Sequence, residues 1–162
     1  MWRARAAALQ TRYDYSKAAL DRGDFAAATG GFEAILLEEP GFLDAPGLLV
    51  QAHAGLRASA RTLYETGRRL DDAGDWLGAL QKYEQARQIS AGIPGLADRM
   101  RQVRGRLTAA GTTAFNQARR HEQDGRPQEA LKEYEKAMQW LPADDPNRQV
   151  ARARIEHIRK ND

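Results

Sequence analysis

The sequence contains no cysteine. That excludes a disulfide framework, a thiolate nucleophile and a cysteine-ligated zinc site, and it leaves the redox compartment unread. Histidine is scarce, at three residues, and their spacing builds neither a metal site nor a catalytic triad. His121-Glu122 is followed by Gly125 where a zinc-protease helix would carry its second histidine. No glycine pattern suited to cradling a phosphate is present, and no apolar run is long enough to span a bilayer. The residues Met1-Trp2-Arg3-Ala4-Arg5 lack the apolar segment of a secretory signal. Nothing in the pattern calls for a cofactor or a metal. Charge of one sign is also missing: 25 basic and 22 acidic residues leave +3, and acidic residues are interspersed through the chain, as on a solvated surface.

What is present is an ordinary globular composition, 42% hydrophobic and 29% charged over 162 residues. A chain of that length buries roughly 68–70% of its unfolded surface. It also repeats. Gly23, Gly74 and Gly125 fall 51 residues apart, and the same offset relates Ala28, Ala79 and Ala130, then Glu33, Glu84 and Glu135, then Thr11, Thr62 and Thr113. Aromatics hold the register at Phe32, Tyr83 and Tyr134 and again at Tyr13, Tyr64 and Phe115. A fixed period of this size marks a helical or other repeat array.

Each unit reads as two helices meeting at its glycine. Gly23-Asp24-Phe25 and Gly74-Asp75-Trp76 supply a residue that tolerates positive φ and then an Asp able to cap the next helix. Gly125-Arg126-Pro127 replaces the Asp with a proline at the first helical position, followed by Glu129. The second helices end at Glu39-Pro40-Gly41, Ser90-Ala91-Gly92 and Leu141-Pro142. Apolar or small residues then recur at Leu49, Ala52, Leu56, Ala60, Leu63, Gly67 and Leu70, and at Leu96, Met100, Val103, Leu107, Ala110, Ala114 and Ala118. This unbroken phase predicts continuous helices over about 46–73 and 95–124, each roughly 40 Å long. Gly55, Gly105 and Gly111 are where either would kink or divide. In the last helix, 146–160, Val150, Ile155 and Ile158 are the residues expected to face inward.

The glycine, Asp and aromatic, then alanine, then an aromatic-Glu pair, then proline, together resemble the tetratricopeptide repeat. Ser16, Gly67 and Ala118 fall where that family packs its two helices closely, and Pro40 and Pro142 where it closes. The resemblance covers three copies over almost the whole chain, but at a period of 51 against the family's roughly 34. It implies an all-α fold: a right-handed α-solenoid of antiparallel helix pairs, with unusually long first helices and a C-terminal cap helix. The expected organisation is one domain with units at 1–44, 45–94 and 95–145 and the cap at 146–160. Because the first and last elements are out of phase with the repeat, the expectation is of a module from a longer protein, with Trp2 against a preceding repeat.

Several residues invite a functional reading and have a plainer one. His121 aligns with the packing positions Ala19 and Leu70, Gly30-Gly31 suits close helix contact, and Asp71-Asp72 and Asp144-Asp145 suit helix-end capping. Trp76 aligns with Phe25 as a core residue, and Trp140 suits sealing the end of its helix. Arg99, Arg101, Arg104 and Arg106 form the densest basic run, spread around a helix among acidic residues, as on a solvated face. The sharper candidate is a pair of columns: Tyr13, Tyr64 and Phe115, each followed four residues later by Lys17, Arg68 and Arg119, on one helix face. In the family this chain resembles, these columns commonly line the concave ligand groove. Two readings stand open. The pairs form a peptide-binding face suited to carboxylates, or the aromatics pack between units while the cations reach to water. The functional expectation is a non-catalytic protein-interaction module binding a partner protein or peptide on its concave face, with an acidic segment among the partners that face would suit. The alternatives are a structural spacer or self-assembly element of a larger multidomain protein, its open ends stacking head to tail, and nucleic-acid binding through the arginine-rich helices.

Overall fold

A computed structural model describes the backbone of residues 2–160 and the side chains of residues 5–160. Among these residues there are seven helices and no strand: α1 (Trp2–Asp21), α2 (Phe25–Glu38), α3 (Ala45–Asp72), α4 (Trp76–Ile89), α5 (Leu96–Gln123), α6 (Pro127–Trp140) and α7 (Pro146–Lys160). The side chain of Trp2, expected against a preceding repeat, lies outside the described residues. None of the helices is long and apolar enough to cross a membrane, among the described residues.

The three repeating glycines do the same job in the same way. Their φ angles are 77° at Gly23, 83° at Gly74 and 70° at Gly125, the left-handed region that an L side chain resists. In each turn the glycine N–H donates three residues back, and the following N–H reaches five back, from Asp24 to the Ala19 carbonyl, Asp75 to Leu70 and Arg126 to His121, at 2.9, 2.9 and 2.8 Å. This pair of bonds is the Schellman closure, which occupies carbonyls left over at a helix end. The next helix is then capped as its sequence dictates. Asp24 accepts from the Ala27 N–H at 3.1 Å and Asp75 from the Gly78 N–H at 3.0 Å. Pro127 starts α6 without a side-chain cap.

α3 and α5 each run 28 residues without interruption, so the apolar phase read from sequence does correspond to single helices. The chain divides into two compact units, Met1–Glu65 with Gln85–Ile93, and Thr66–Glu84 with Pro94–Asp162. In the first, α1 packs on α2 around Leu9, Tyr13, Phe32 and Ile35. Gly31 lies so close to Ser16 that a Cβ there would overlap the hydroxyl, and Ser16 turns that hydroxyl onto the Arg12 carbonyl at 2.8 Å. Gly55 makes room in the same way for the Phe25 ring. Leu43, in the turn before α3, has a φ of 47° and a side chain 60% exposed.

In the second unit α6 packs on both α5 and α7. α5 contributes Leu96, Met100, Val103, Leu107, Ala114, Phe115 and Ala118 to the interior, α6 contributes Ala130, Tyr134 and Ala137, and α7 contributes Ala151, Ile155 and Ile158. Burying each of the two isoleucines stabilises α7 by about 1.5–3 kcal/mol. Gly67 abuts the Tyr83 ring and Gly111 abuts Leu141, so both are close-packing positions. Two expectations from the sequence need correction. Val150 is 47% exposed, because the inward face of α7 is set by Ala151, Ile155 and Ile158, a stripe one residue out of step with it. Trp76, expected in the core, is only half-buried, at the first position of α4.

Candidate functional site

The three aromatic–cation pairs have different surroundings. Tyr13 on α1 is buried, with its ring edge-on to Phe32 at 6.1 Å and Phe42 at 5.9 Å between centroids. Its hydroxyl donates to Asp44. That hydrogen bond, helped by burial and by the carboxylate's charge, pushes the phenol up to about 12. Lys17, one turn on and exposed, holds its ammonium 6.0 Å from the Tyr13 ring centroid, at the outer limit of a cation–π contact. The Tyr13 ring is therefore occupied by its own neighbours. Tyr64 and Arg68 on α3 are both half-buried, the first belonging to one compact unit and the second to the other.

The third pair borders open space. Phe115 and Arg119 of α5 line a cavity of about 620 Å3 whose other walls include Glu122 of α5, Tyr134 of α6, and Val150 and Arg154 of α7. Phe115 is buried and meets Tyr134 edge-on at 5.8 Å. Behind it is a fixed polar cluster. Tyr134 donates its hydroxyl to Glu122 at 2.6 Å, and Arg154 donates Nε to both oxygens of the same carboxylate at 3.0 and 3.1 Å and Nη2 to one of them. The Arg154 guanidinium holds the Glu122 carboxyl below its ordinary range, against the opposing effect of burial. Burial first, and Glu122 second, push the Tyr134 phenol up, and Glu122 in turn raises the Arg154 guanidinium. Arg119 is the exception. It is exposed and has no acidic partner among the described residues, yet it is near enough to Tyr134 for its charge to be felt there. Two guanidiniums against one carboxylate leave this cavity with one uncompensated positive charge.

The sequence singled out Phe115 and Arg119 as candidates but not Glu122, Tyr134, Val150 or Arg154, which line the same cavity. Tyr134 was visible as a repeat aromatic, but its pairing with Glu122 was hidden behind the adjacent His121. Arg154 is 32 residues from Glu122, which no local pattern reports.

The basic run of α5 is not an open stripe. Arg99 and Arg106 both reach Asp71, at 3.2 and 2.6 Å, Arg104 reaches Glu84 at 3.0 Å, and Arg101 pairs with Asp98. Asp71 is 3% exposed, which corrects its assignment to helix-end capping: it is the buried centre of an ion cluster with Arg99 and Arg106, which Asp72 joins through Arg99, and its hydrogen bond raises the Arg99 guanidinium above its ordinary value. His121 is half-buried, and its Nδ1 has no hydrogen-bond partner in the structure. Among the described residues no group of histidine, aspartate and glutamate is placed to hold a metal ion. No family model matches this chain, and no curated protein matches it.

Proposed function

We propose that this chain is a tetratricopeptide-like solenoid of antiparallel helix pairs acting as a non-catalytic interaction module, and that it binds an acidic segment of a partner protein in the cleft of Phe115 and Arg119. The observation that carries the reading is the lone charge: Arg119 stands without an acidic partner at the mouth of a cavity of about 620 Å3, beside buried Phe115 and half-exposed Val150. An aspartate or glutamate side chain meets the guanidinium in paired, charge-assisted hydrogen bonds, while a neighbouring aliphatic residue covers Val150. Glu122 does not compete for Arg119, because Arg154 and Tyr134 already occupy it. The three identical helix closures at a 51-residue period support the repeat architecture on which the reading rests.

The nucleic-acid alternative has lost its main support, since the four arginines that suggested it each have an acidic partner within their own unit. Self-association keeps one specific observation, the exposed Leu37, Leu43 and Val50 of the first unit, at 87, 60 and 65%. A molar mass that rises with concentration would put it ahead.

The test is selection from a random peptide library by the wild type and by Arg119→Glu. The wild type is expected to enrich peptides carrying aspartate or glutamate, and the variant to lose that enrichment or shift to lysine and arginine. The same enriched set for both proteins would defeat the proposal.

A further inference from the structure

A second concavity, which shares no residue with the peptide cleft, lies among α4, α5 and the end of α6. Leu77 and Leu80 of α4, Leu107 of α5, and Trp140 and Leu141 at the end of α6 form the apolar wall of an open groove of about 260 Å3. Leu107 and Leu141 are buried, and Leu77, Leu80 and Trp140 are half-buried. Thr108, Gln139, Arg104 and Arg148 supply the polar part of its lining. An apolar cavity of roughly 150 Å3 is enough to hold one benzene ring, so there is room here for a ring or short chain with a head group attached.

Charge identifies the head group. Two guanidiniums border the groove, those of Arg104 and Arg148. Arg104 is neutralised by Glu84. Arg148 is half-buried and donates Nη1 to a neutral acceptor, the Leu141 carbonyl at 2.7 Å, with no acidic partner among the described residues. One uncompensated, partly desolvated cation beside an apolar wall is complemented by a ligand with an apolar body and a single negative charge. The repeat itself does not require this arrangement: Trp140 aligns with Ile89 and Glu38, and Arg148 with Ala97 and Pro46. An aromatic and a cation occur together at these positions in this unit alone.

We infer that the groove binds a small hydrophobic monocarboxylate, its apolar body against Trp140, Leu77 and Leu80 and its carboxylate on Arg148. A dianion would exceed the one available charge, and a neutral ligand would leave Arg148 as it is.

The probe is 3-phenylpropionate, titrated into the 15N-labelled wild-type chain and compared with its uncharged counterpart, 3-phenylpropanol. The Trp140 indole N–H resonance, assigned with Trp140→Phe, is expected to shift and saturate while that of Trp76 stays in place. The acid is expected to bind about tenfold more tightly than the alcohol, the margin of one charge-assisted contact. In Arg148→Gln that margin should collapse to within about twofold. The acid–alcohol comparison uses the unaltered protein, so it decides the matter even where the variant folds poorly. Any of three results overturns the inference: no Trp140 shift at about 10 mM acid, equal binding of acid and alcohol by the wild type, or a margin that survives Arg148→Gln. A peptide ending in phenylalanine that binds about tenfold better than the free acid also overturns it, reassigning the groove to a chain terminus.

Discussion

Asp71 is the residue on which most charge converges. Its side chain is 1% exposed, while its partners Arg99 and Arg106 are 31 and 47% exposed and so retain contact with water. Removing one partner of a fully buried ion pair costs about 3–5 kcal/mol; with the cations this well solvated, Asp71→Asn is expected to cost about 2 kcal/mol, read as a lower urea midpoint at unchanged slope. Leu43 poses the opposite case. Its φ of 47° costs an L residue about 1–2 kcal/mol, and its exposed side chain recovers little of that. Leu43→Gly should therefore raise stability by about 0.5–1 kcal/mol, the remainder being lost to glycine's greater freedom when unfolded. Neither feature was legible in the sequence. Asp71-Asp72 resembles any acidic helix end, and the arginines that claim Asp71 lie 28 and 35 residues away, beyond the reach of i,i+4 reasoning. Leu43 has nothing of the usual left-handed residue about it.

At the scale of the helix, two glycines that look alike in sequence should respond oppositely to alanine. Gly105 lies inside α5 with nothing within 4 Å of where a Cβ would sit, so Gly105→Ala is expected to stabilise by about 1 kcal/mol through helix propensity alone. Gly67 lies inside α3 with the Tyr83 ring 2.6 Å from that point, the Ala79 carbonyl at 3.3 Å, and Tyr83 itself fully buried. The ring cannot step aside freely, and overpacking of about 1–3 kcal/mol outweighs the propensity gain, so Gly67→Ala should be destabilising or at best neutral. Thermal melts of the two variants side by side separate the cases. The elements themselves were readable: the 51-residue glycines, the Asp caps and the long apolar phase led to helices that the structure contains. Which inward stripe α7 uses was less readable, because Val150 and Ala151 differ by one residue and alanine gives a weak hydrophobic signal.

For the molecule as a whole, acid sensitivity should be traceable to Glu122. Its folded-state carboxyl is held below the ordinary value of 4.5 by Arg154, so its contribution is present above that value and is lost as the pH falls through the lower, folded one. Glu122→Gln is expected to be about 1–2 kcal/mol less stable than the wild type near pH 6, given that Arg154 is partly solvated, with the gap narrowing as the pH falls below 4.5. Urea unfolding across that range checks it, and a gap unchanged by acid would mean that packing around Tyr134, not charge, is responsible. Of the candidate cleft, the sequence offered the aromatic and the cation on one helix face but not the partners drawn from α6 and α7, since those depend on how the helices are rotated against one another. The tripled helix closure carries a consequence of a different kind. Every bond in it joins residues three to five apart, so each turn can form before any distant contact is made and at almost no loop-closure cost. Each of the three corners can therefore take shape by itself, before the helices on either side of it have found their packing partners.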